Sequence, residues 1–252
     1  MSTQSAARRI WLTGASSGIG AALTRELLNQ GHQLALTARN QPALQAFADE
    51  FPAQVLALPA DLTDVTQVKQ VAEQISQTWG ALDSVILNAG TCEYIDVANF
   101  EAAMIERVIS TNLIATAQCI EAALPLLRNG VSPHLIGTSS SVVFLPLPRA
   151  GAYGASKAAM TYLFNSLRID LAHENIAVTL IHPGFVDTPL TQKNDFAMPM
   201  RWDSNQAARH IAAKLPQRPF EINFPRLFIA SLKLTAMLPK SWQFALTKRL
   251  KK

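Results

Sequence analysis

Cysteine is scarce in this chain of 252 residues: Cys92 and Cys119 are the only two, and they fit no CxxC pattern. That excludes a disulfide framework and a cysteine-rich zinc module, and it favours reduced thiols in a cytoplasmic setting. The five histidines are scattered, and no metal-ligating spacing is present, so no metal is expected. Charged residues are only 16% against 49% hydrophobic, which excludes a disordered chain and allows a large core. No apolar run approaches the roughly 18 residues of a spanning helix. The stretch Met1–Arg9 is polar and lacks an apolar core, so no secretory signal is expected. Internal repeats and low-complexity linkers are missing too.

Negative charge is absent from the end of the chain. After Glu221 come Arg226, Lys233, Lys240, Lys248, Arg249, Lys251 and Lys252 and no acid, while the whole chain is only +4, so the body before them is net acidic. The basic character is therefore a property of the tail. No basic stripe with interleaved aromatics runs through the body, which excludes a nucleic-acid-binding domain.

What is present is alternation. Arg8 to Thr13 reads as a buried strand running into Thr13-Gly14-Ala15-Ser16-Ser17-Gly18-Ile19-Gly20, after which Ile19, Leu23 and Leu27 recur at helical spacing as far as Gly31. Further strands are expected at Gln33–Arg39, Gln54–Ala60, Leu82–Leu87, His134–Thr138, Ile176–Ile181 and Glu221–Phe224. Helices are expected at Pro42–Phe51, along the stripe Val65, Val68, Ala72, Ile75 and Trp79 closed by Gly80, over Phe100–Leu127, over Ala152–His173 and from a Ser204 cap to Leu215. Such alternation specifies an α/β fold: a single-domain Rossmann fold, with a doubly wound, seven-stranded parallel sheet flanked by helices. In this division residues 7–190 are the core, 191–224 a substrate loop, helix and last strand, and 225–252 a basic amphipathic tail.

The candidate site residues all follow a strand or open a helix, positions that a parallel sheet gathers at one edge. Glycines let the first turn approach a pyrophosphate, and the helix N-terminus behind them offers unpaired N–H groups. The end of the second strand carries Ala38-Arg39 where an NAD-preferring fold carries an acid; Arg39 either grips a 2′-phosphate or is solvated. Asp61-Leu62 presents a carboxylate to an adenine edge or merely caps a turn. Asn88-Ala89-Gly90 places a small, flexible turn at the same edge. Asn112, a poor helix former, marks either a local break or a surface position.

Tyr153 and Lys157 are one helical turn apart and leave the same face. A cation beside a phenol lowers its pKa, and a tuned tyrosine exchanges a proton with a carbonyl or alcohol oxygen. Ser139-Ser140-Ser141 arrives shortly before. His182-Pro183-Gly184-Phe185-Val186-Asp187-Thr188 follows the sixth strand, with Pro and Gly expected to stop it and Thr188 expected to bond the cofactor. The Val142–Pro148 loop, with Phe144 and Leu147, is expected to line a pocket. The Gln192–Asp203 loop either closes over substrate or packs on the body.

In combination these segments resemble the single-domain short-chain dehydrogenases/reductases over residues 7–190. Thr13-Gly14-x-x-x-Gly18-x-Gly20 is similar to the family's TGxxxGxG loop, Asn88-Ala89-Gly90 to its NAG turn, Asp61 to its adenine-side aspartate, Tyr153-x-x-x-Lys157 to its YxxxK motif, and Pro183-Gly184 with Thr188 to its segment after the sixth strand. Counting back from Tyr153 by the family's spacing reaches Ser140, with Ser139 and Ser141 one register away. The resemblance implies hydride transfer between a nicotinamide cofactor and a carbonyl or alcohol. Tyr153 is then the acid/base, Lys157 lowers its pKa and binds ribose, Ser140 orients the substrate oxygen and Asn112 holds a helix kink and a relay water. Gly14, Ser16, Ser17, Gly18, Ile19, Gly20, Arg39, Asp61, Leu62, Asn88, Ala89, Gly90, Pro183, Gly184, Val186 and Thr188 hold the cofactor. Arg39 resembles the NADP(H)-preferring branch, with NAD(H) still admissible because Ser17 is not basic. Homodimers or homotetramers through the two long helices are also implied, and an apolar small-molecule carbonyl is the expected substrate. The basic tail suits peripheral membrane contact, a subunit contact or a pocket cover. The rival reading is a non-catalytic dinucleotide-binding redox sensor.

Overall fold

The computed structural model describes residues 7–250. Strands β1 (Arg9–Thr13), β2 (Gln33–Thr37), β3 (Val55–Ala57), β4 (Ser84–Leu87), β5 (His134–Thr138), β6 (Ala177–Pro183) and β9 (Glu221–Phe224) form one parallel sheet in the order β3-β2-β1-β4-β5-β6-β9. A short pair, β7 (Val186–Asp187) with β8 (Trp202–Asp203), stands apart from it. The helices are α1 (Gly18–Asn29), α2 (Gln41–Glu50), α3 (Val65–Trp79), α4 (Ala102–Ile109), α5 (Ala115–Arg128), α6 (Gly151–Asp170), α7 (Ser204–Lys214), α8 (Arg226–Ala236) and α9 (Lys240–Thr247). The winding reverses between β1 and β4, so the loops that leave these two strands diverge and leave a crevice at their carboxyl ends.

Alternation along the strands explains the two covered faces. Ile10 and Leu12 of β1 face Leu23 and Leu27 of α1 and Ile211 of α7, while Trp11 between them faces the side packed by Ile75, Ala123 and Phe164. Each such side chain, buried from water, contributes about 2 kcal/mol. Trp11 stays tolerable inside because its indole N–H donates to the Thr37 hydroxyl at 3.0 Å.

Most expected elements appear within a residue or two of their expected ends, and the departures have local causes. β2 stops at Thr37 rather than Arg39 because the Thr37 carbonyl accepts from Gly14 N at 2.8 Å, handing the ladder to the glycine turn. β6 does not stop before His182: it continues through Pro183, which sits opposite Phe224 at the strand's last position, where a missing N–H costs no central ladder bond. The α3 stripe is core at Val68 and Ile75, but Val65 is 40% exposed and Val71 is buried in its place, since Asp64 caps the helix and turns its first residue outward. Asp203, not Ser204, caps α7, accepting from Gln206 N at 2.8 Å; the Ser204 hydroxyl instead donates to the Asp187 carbonyl. The run from Phe100 is broken as the Asn112 reading allowed: Ser110–Ile114 is a π-helical turn between α4 and α5. Asn112 is fully buried, which removes the surface alternative.

Candidate active site

A cleft of about 990 Å³ lies along the carboxyl edge of the sheet. At its middle the β1 and β4 turns are bonded together. The Thr13 hydroxyl accepts from Asn88 N at 3.0 Å and Ala89 N at 3.2 Å, and the Asn88 amide donates to the Thr13 and Gly14 carbonyls at 3.4 Å. This close approach dictates glycine. Gly14 has φ +68, and a Cβ there would lie 2.8 Å from the Ala89 Cα; a Cβ on Gly20 would collide with the Gly14 carbonyl oxygen. Gly20 therefore shapes the turn from behind, without lining the cleft, whereas Gly14, Ser16, Ser17, Gly18 and Ile19 line it.

The N-terminus of α1 opens on the cleft. Ser17 precedes it in extended conformation with no side-chain capping bond, and no acid lies in the first turn. The positive end of the helix is thus left for an anionic ligand. Thr188 stands over it: its methyl would lie 3.0 Å from a Cβ on Gly18. Pro183, Gly184 and Val186 continue the same wall.

At one end of the cleft are Arg39, Asp61 and Leu62. Arg39 is exposed, and its guanidinium has no hydrogen bond or ion pair among the described residues. Asp61 accepts from the Thr63 N–H at 3.0 Å and the Thr63 hydroxyl at 2.8 Å, and these bonds hold its carboxyl below the usual carboxylate range. Asp61 thus makes a turn, while Asp64 is the residue that caps α3.

At the other end are Tyr153, Lys157 and Ser140. Asn112 does not line the cleft. Its side chain accepts from Thr91 N at 2.7 Å and donates to the Thr91 carbonyl and the Ser156 hydroxyl, each at 2.9 Å. Ser156 in turn donates to the Tyr153 carbonyl at 2.7 Å. The π turn so fastens α6 to the segment following Asn88-Ala89-Gly90. Gly90 makes room for this: a Cβ there would come within 3.2 Å of Asn112 Oδ1 and 3.3 Å of Lys157 Nζ. The three serines have different surroundings. Ser139 is bonded to the Lys157 carbonyl at 3.2 Å and to Thr161 at 2.7 Å; Ser141 is buried at the start of a short helical turn; Ser140 lines the cleft with Tyr153, its hydroxyl accepting from Val142 N at 3.2 Å.

One electrostatic expectation is reversed. Burial pushes the Tyr153 phenol up to about 12, opposed by the nearby Ser140 hydroxyl, and burial pushes Lys157 down to about 8. Lys157 does not lower the tyrosine here because its Nζ donates to the Thr138 carbonyl at 2.8 Å and lies 6.0 Å from the phenol ring centre. Desolvation of the half-buried phenol and of the buried amine then dominates.

The Gln192–Asp203 loop is latched to the body. Tyr94 donates to Asn194 at 2.8 Å, Arg149 pairs with Asp195 at 2.8 Å, and Phe196 sits between Tyr94 and Phe185 with ring centres 5.7 and 6.1 Å away. Tyr94, unremarked in the sequence, is the hinge post of this arrangement; its place shortly after the Asn88-Ala89-Gly90 turn was the available signal. Ser156 and Thr13 were also missed as positioning residues, since nothing local shows that a hydroxyl points at a distant turn. Phe144 and Leu147 do not line the cleft: Phe144 packs on His182 with ring centres 5.1 Å apart.

The sheet reversal, the glycine turn under a helix N-terminus and the Ser–Tyr–Lys end together define an α/β dinucleotide-binding enzyme. The family model for short chain dehydrogenase matches residues 8–198. An uncharacterized oxidoreductase of Myxococcus xanthus is 32% identical over 247 residues, covering 97% of this chain and 98% of the relative. Among solved structures, a short chain dehydrogenase/reductase of Burkholderia phymatum in complex with NAD superposes with a TM-score of 0.82 at 22% identity, over 91% of this chain and 92% of that one. An alcohol dehydrogenase of Thermococcus sibiricus complexed with 5-hydroxy-NADP does so with 0.78 at 24% identity, over 86% and 95%. The chain belongs to the short-chain dehydrogenase/reductase family and is an NAD(P)-dependent oxidoreductase.

Proposed function

We propose that the protein reduces an apolar carbonyl compound to its alcohol with NADPH, with Tyr153 as the proton donor. The observation that carries this is the meeting of Ser140, Tyr153 and Lys157 with the glycine turn in one cleft. The residues fit the nucleotide: an uncapped helix N-terminus suits its pyrophosphate, and an unpaired Arg39 beside Asp61 suits a 2′-phosphate. Leu62, Asn88, Ala89, Gly90, Pro183, Gly184, Val186 and Thr188 complete the cradle. NADPH, when bound, supplies the hydride.

Tyr153 gives its phenolic proton to the carbonyl oxygen as that oxygen gains charge. Ser140 donates to the same oxygen and orients it. Lys157, protonated at neutral pH with a pKa of about 8, is held in the cleft by the Thr138 carbonyl and binds the nicotinamide ribose. A phenol held near 12 stays protonated in the resting chain, which suits reduction more than alcohol oxidation. Asn112 and Ser156 keep the helix carrying both groups in place. The aromatic latch of Tyr94, Phe185 and Phe196 adjoins in sequence the cleft-lining Glu93, Gly184 and Val186 and favours an apolar substrate. Residues 7–190 form the catalytic core of this reading, 191–224 its substrate side. We assign the enzyme to the cytoplasm as a homodimer or homotetramer; no helix among the described residues is long and apolar enough to cross a membrane.

The test is a panel of ketones and aldehydes assayed with NADPH and NADH on the parent, Tyr153→Phe and Arg39→Ser. The parent turns over an apolar member with NADPH favoured. Tyr153→Phe loses turnover by at least about 1000-fold yet still quenches on binding NADPH, and Arg39→Ser shifts the kcat/KM ratio towards NADH. Turnover by Tyr153→Phe at the parent's rate would refute the proton donor. Tight NADPH binding with no consumption on any carbonyl would favour the sensor.

A further inference from the structure

Beyond the last sheet strand, α8 and α9 follow one another and are joined through Gln243. Gln243 is buried between them and donates to the Ala236 and Leu238 carbonyls at 2.9 and 2.8 Å, capping the end of α8 from α9. Ile229 and Leu232 face the body. Leu227, Leu234 and Met237 recur at helical spacing on the opposite side, and with Trp242 they are 63–82% exposed. Leu246, one turn past Trp242, extends the patch. So many exposed apolar side chains on two consecutive helices call for a partner.

Charge identifies its class. Arg226, Lys240, Lys248 and Arg249 are exposed around these side chains with no acidic partner among the described residues; Lys233 alone pairs, with Glu221 at 3.0 Å. Lys251 and Lys252 add two cations to the sequence but lie outside the described residues. A groove of about 540 Å³ between Met200–Trp202 and Pro225–Leu227 brings Arg201, itself 3.8 Å from Asp187, and the unpaired Arg226 to the same end of α8. Apolar side chains ringed by unpaired cations match an anionic bilayer: the first enter the acyl boundary, the second meet headgroup phosphates. A second copy of this chain would set the same cations against each other.

We infer that the α8–α9 hairpin docks the protein on an anionic membrane surface. Docking is independent of the reaction assigned above, but it has a consequence for it. Phe228 of α8 packs on Phe185 at 5.5 Å between ring centres, and Phe185 packs on Phe196 of the latch, so the docking helix is joined to the latched loop.

The experiment is vesicle co-sedimentation of the full chain with phosphatidylcholine alone and with phosphatidylglycerol mixed in, at low and high salt. The parent pellets with the anionic vesicles at least about tenfold more tightly than with neutral ones, and salt weakens the binding. Trp242 fluorescence shifts to the blue on binding. Leu234→Glu with Trp242→Glu stays in the supernatant, while its far-UV circular dichroism and NADPH binding match the parent. Lys240→Glu with Lys248→Glu, which leaves the apolar face intact, loses the preference for anionic vesicles. Recovery of the parent in the supernatant with both vesicle types, or equal binding to both, would overturn the inference. So would dissociation of a parent oligomer by the Leu234→Glu, Trp242→Glu variant, which would assign the face to a second copy.

Discussion

Burial moves the pair Tyr153 and Lys157 in opposite senses: the phenol rises to about 12, away from neutral pH, and the ammonium falls to about 8, towards it. The lysine has a consequence for stability. Its folded value of about 8 lies below the 10.5 of a free lysine, so between these the unfolded chain binds more protons than the folded one. Stability of the nucleotide-free protein therefore rises with pH across that window. Below it the cost of burying the ammonium is fully present, about 3 kcal/mol. Denaturant unfolding from pH 8 to 10 checks this, taking the difference between the parent and Lys157→Met so that the cysteines and other groups cancel. The parent gains stability relative to the variant as pH rises; parallel curves would mean that the amine is solvated.

At the scale of elements, the π turn Ser110–Ile114 decides whether α6 is correctly placed. An extra residue in the turn swings Asn112 inward, where one amide satisfies both backbone groups of Thr91 and reaches Ser156. Asn112→Ala leaves these buried partners unpaired and is expected to cost about 3 kcal/mol, read as a lower urea midpoint. It is also expected to lower kcat more than it raises the KM for NADPH, because the cradle at the glycine turn does not depend on it. A variant with unchanged kcat would make the asparagine purely structural. The sequence placed Asn112 as an oddity in a helix; only contacts across 21 residues to Thr91 and 44 to Ser156 give it a purpose. The serine triplet repeats the lesson. Nothing in three identical side chains separates Ser140 from Ser139, which the fold spends on the Lys157 carbonyl and Thr161.

For the whole molecule, the outer side of the long helices is the second feature in search of a partner. Tyr162 and Ile169 lie two turns apart on α6 and are 80% and 77% exposed, with Ile114 beside the π turn also exposed. Met160 and Phe164 on the same helix are core, so α6 is apolar on two sides. We expect this face to close a homodimer, and Tyr162→Glu to shift the sedimentation velocity profile to a monomer while leaving NADPH binding intact. An unchanged profile would remove the helices from the interface.

Local order carried most of the architecture. Apolar alternation, helical spacing and glycine or proline punctuation are short-range signals, and they located the strands, the glycine turn and the Tyr153–Lys157 turn, because each depends on neighbours within a few residues. Protonation states, the serine register, the inward Asn112, the latch through Tyr94 and the exposed side of α8 and α9 were not contained in that order. Each depends on how much water a group keeps and on which distant backbone atom it meets, and those are set only when the sheet brings remote segments to one edge.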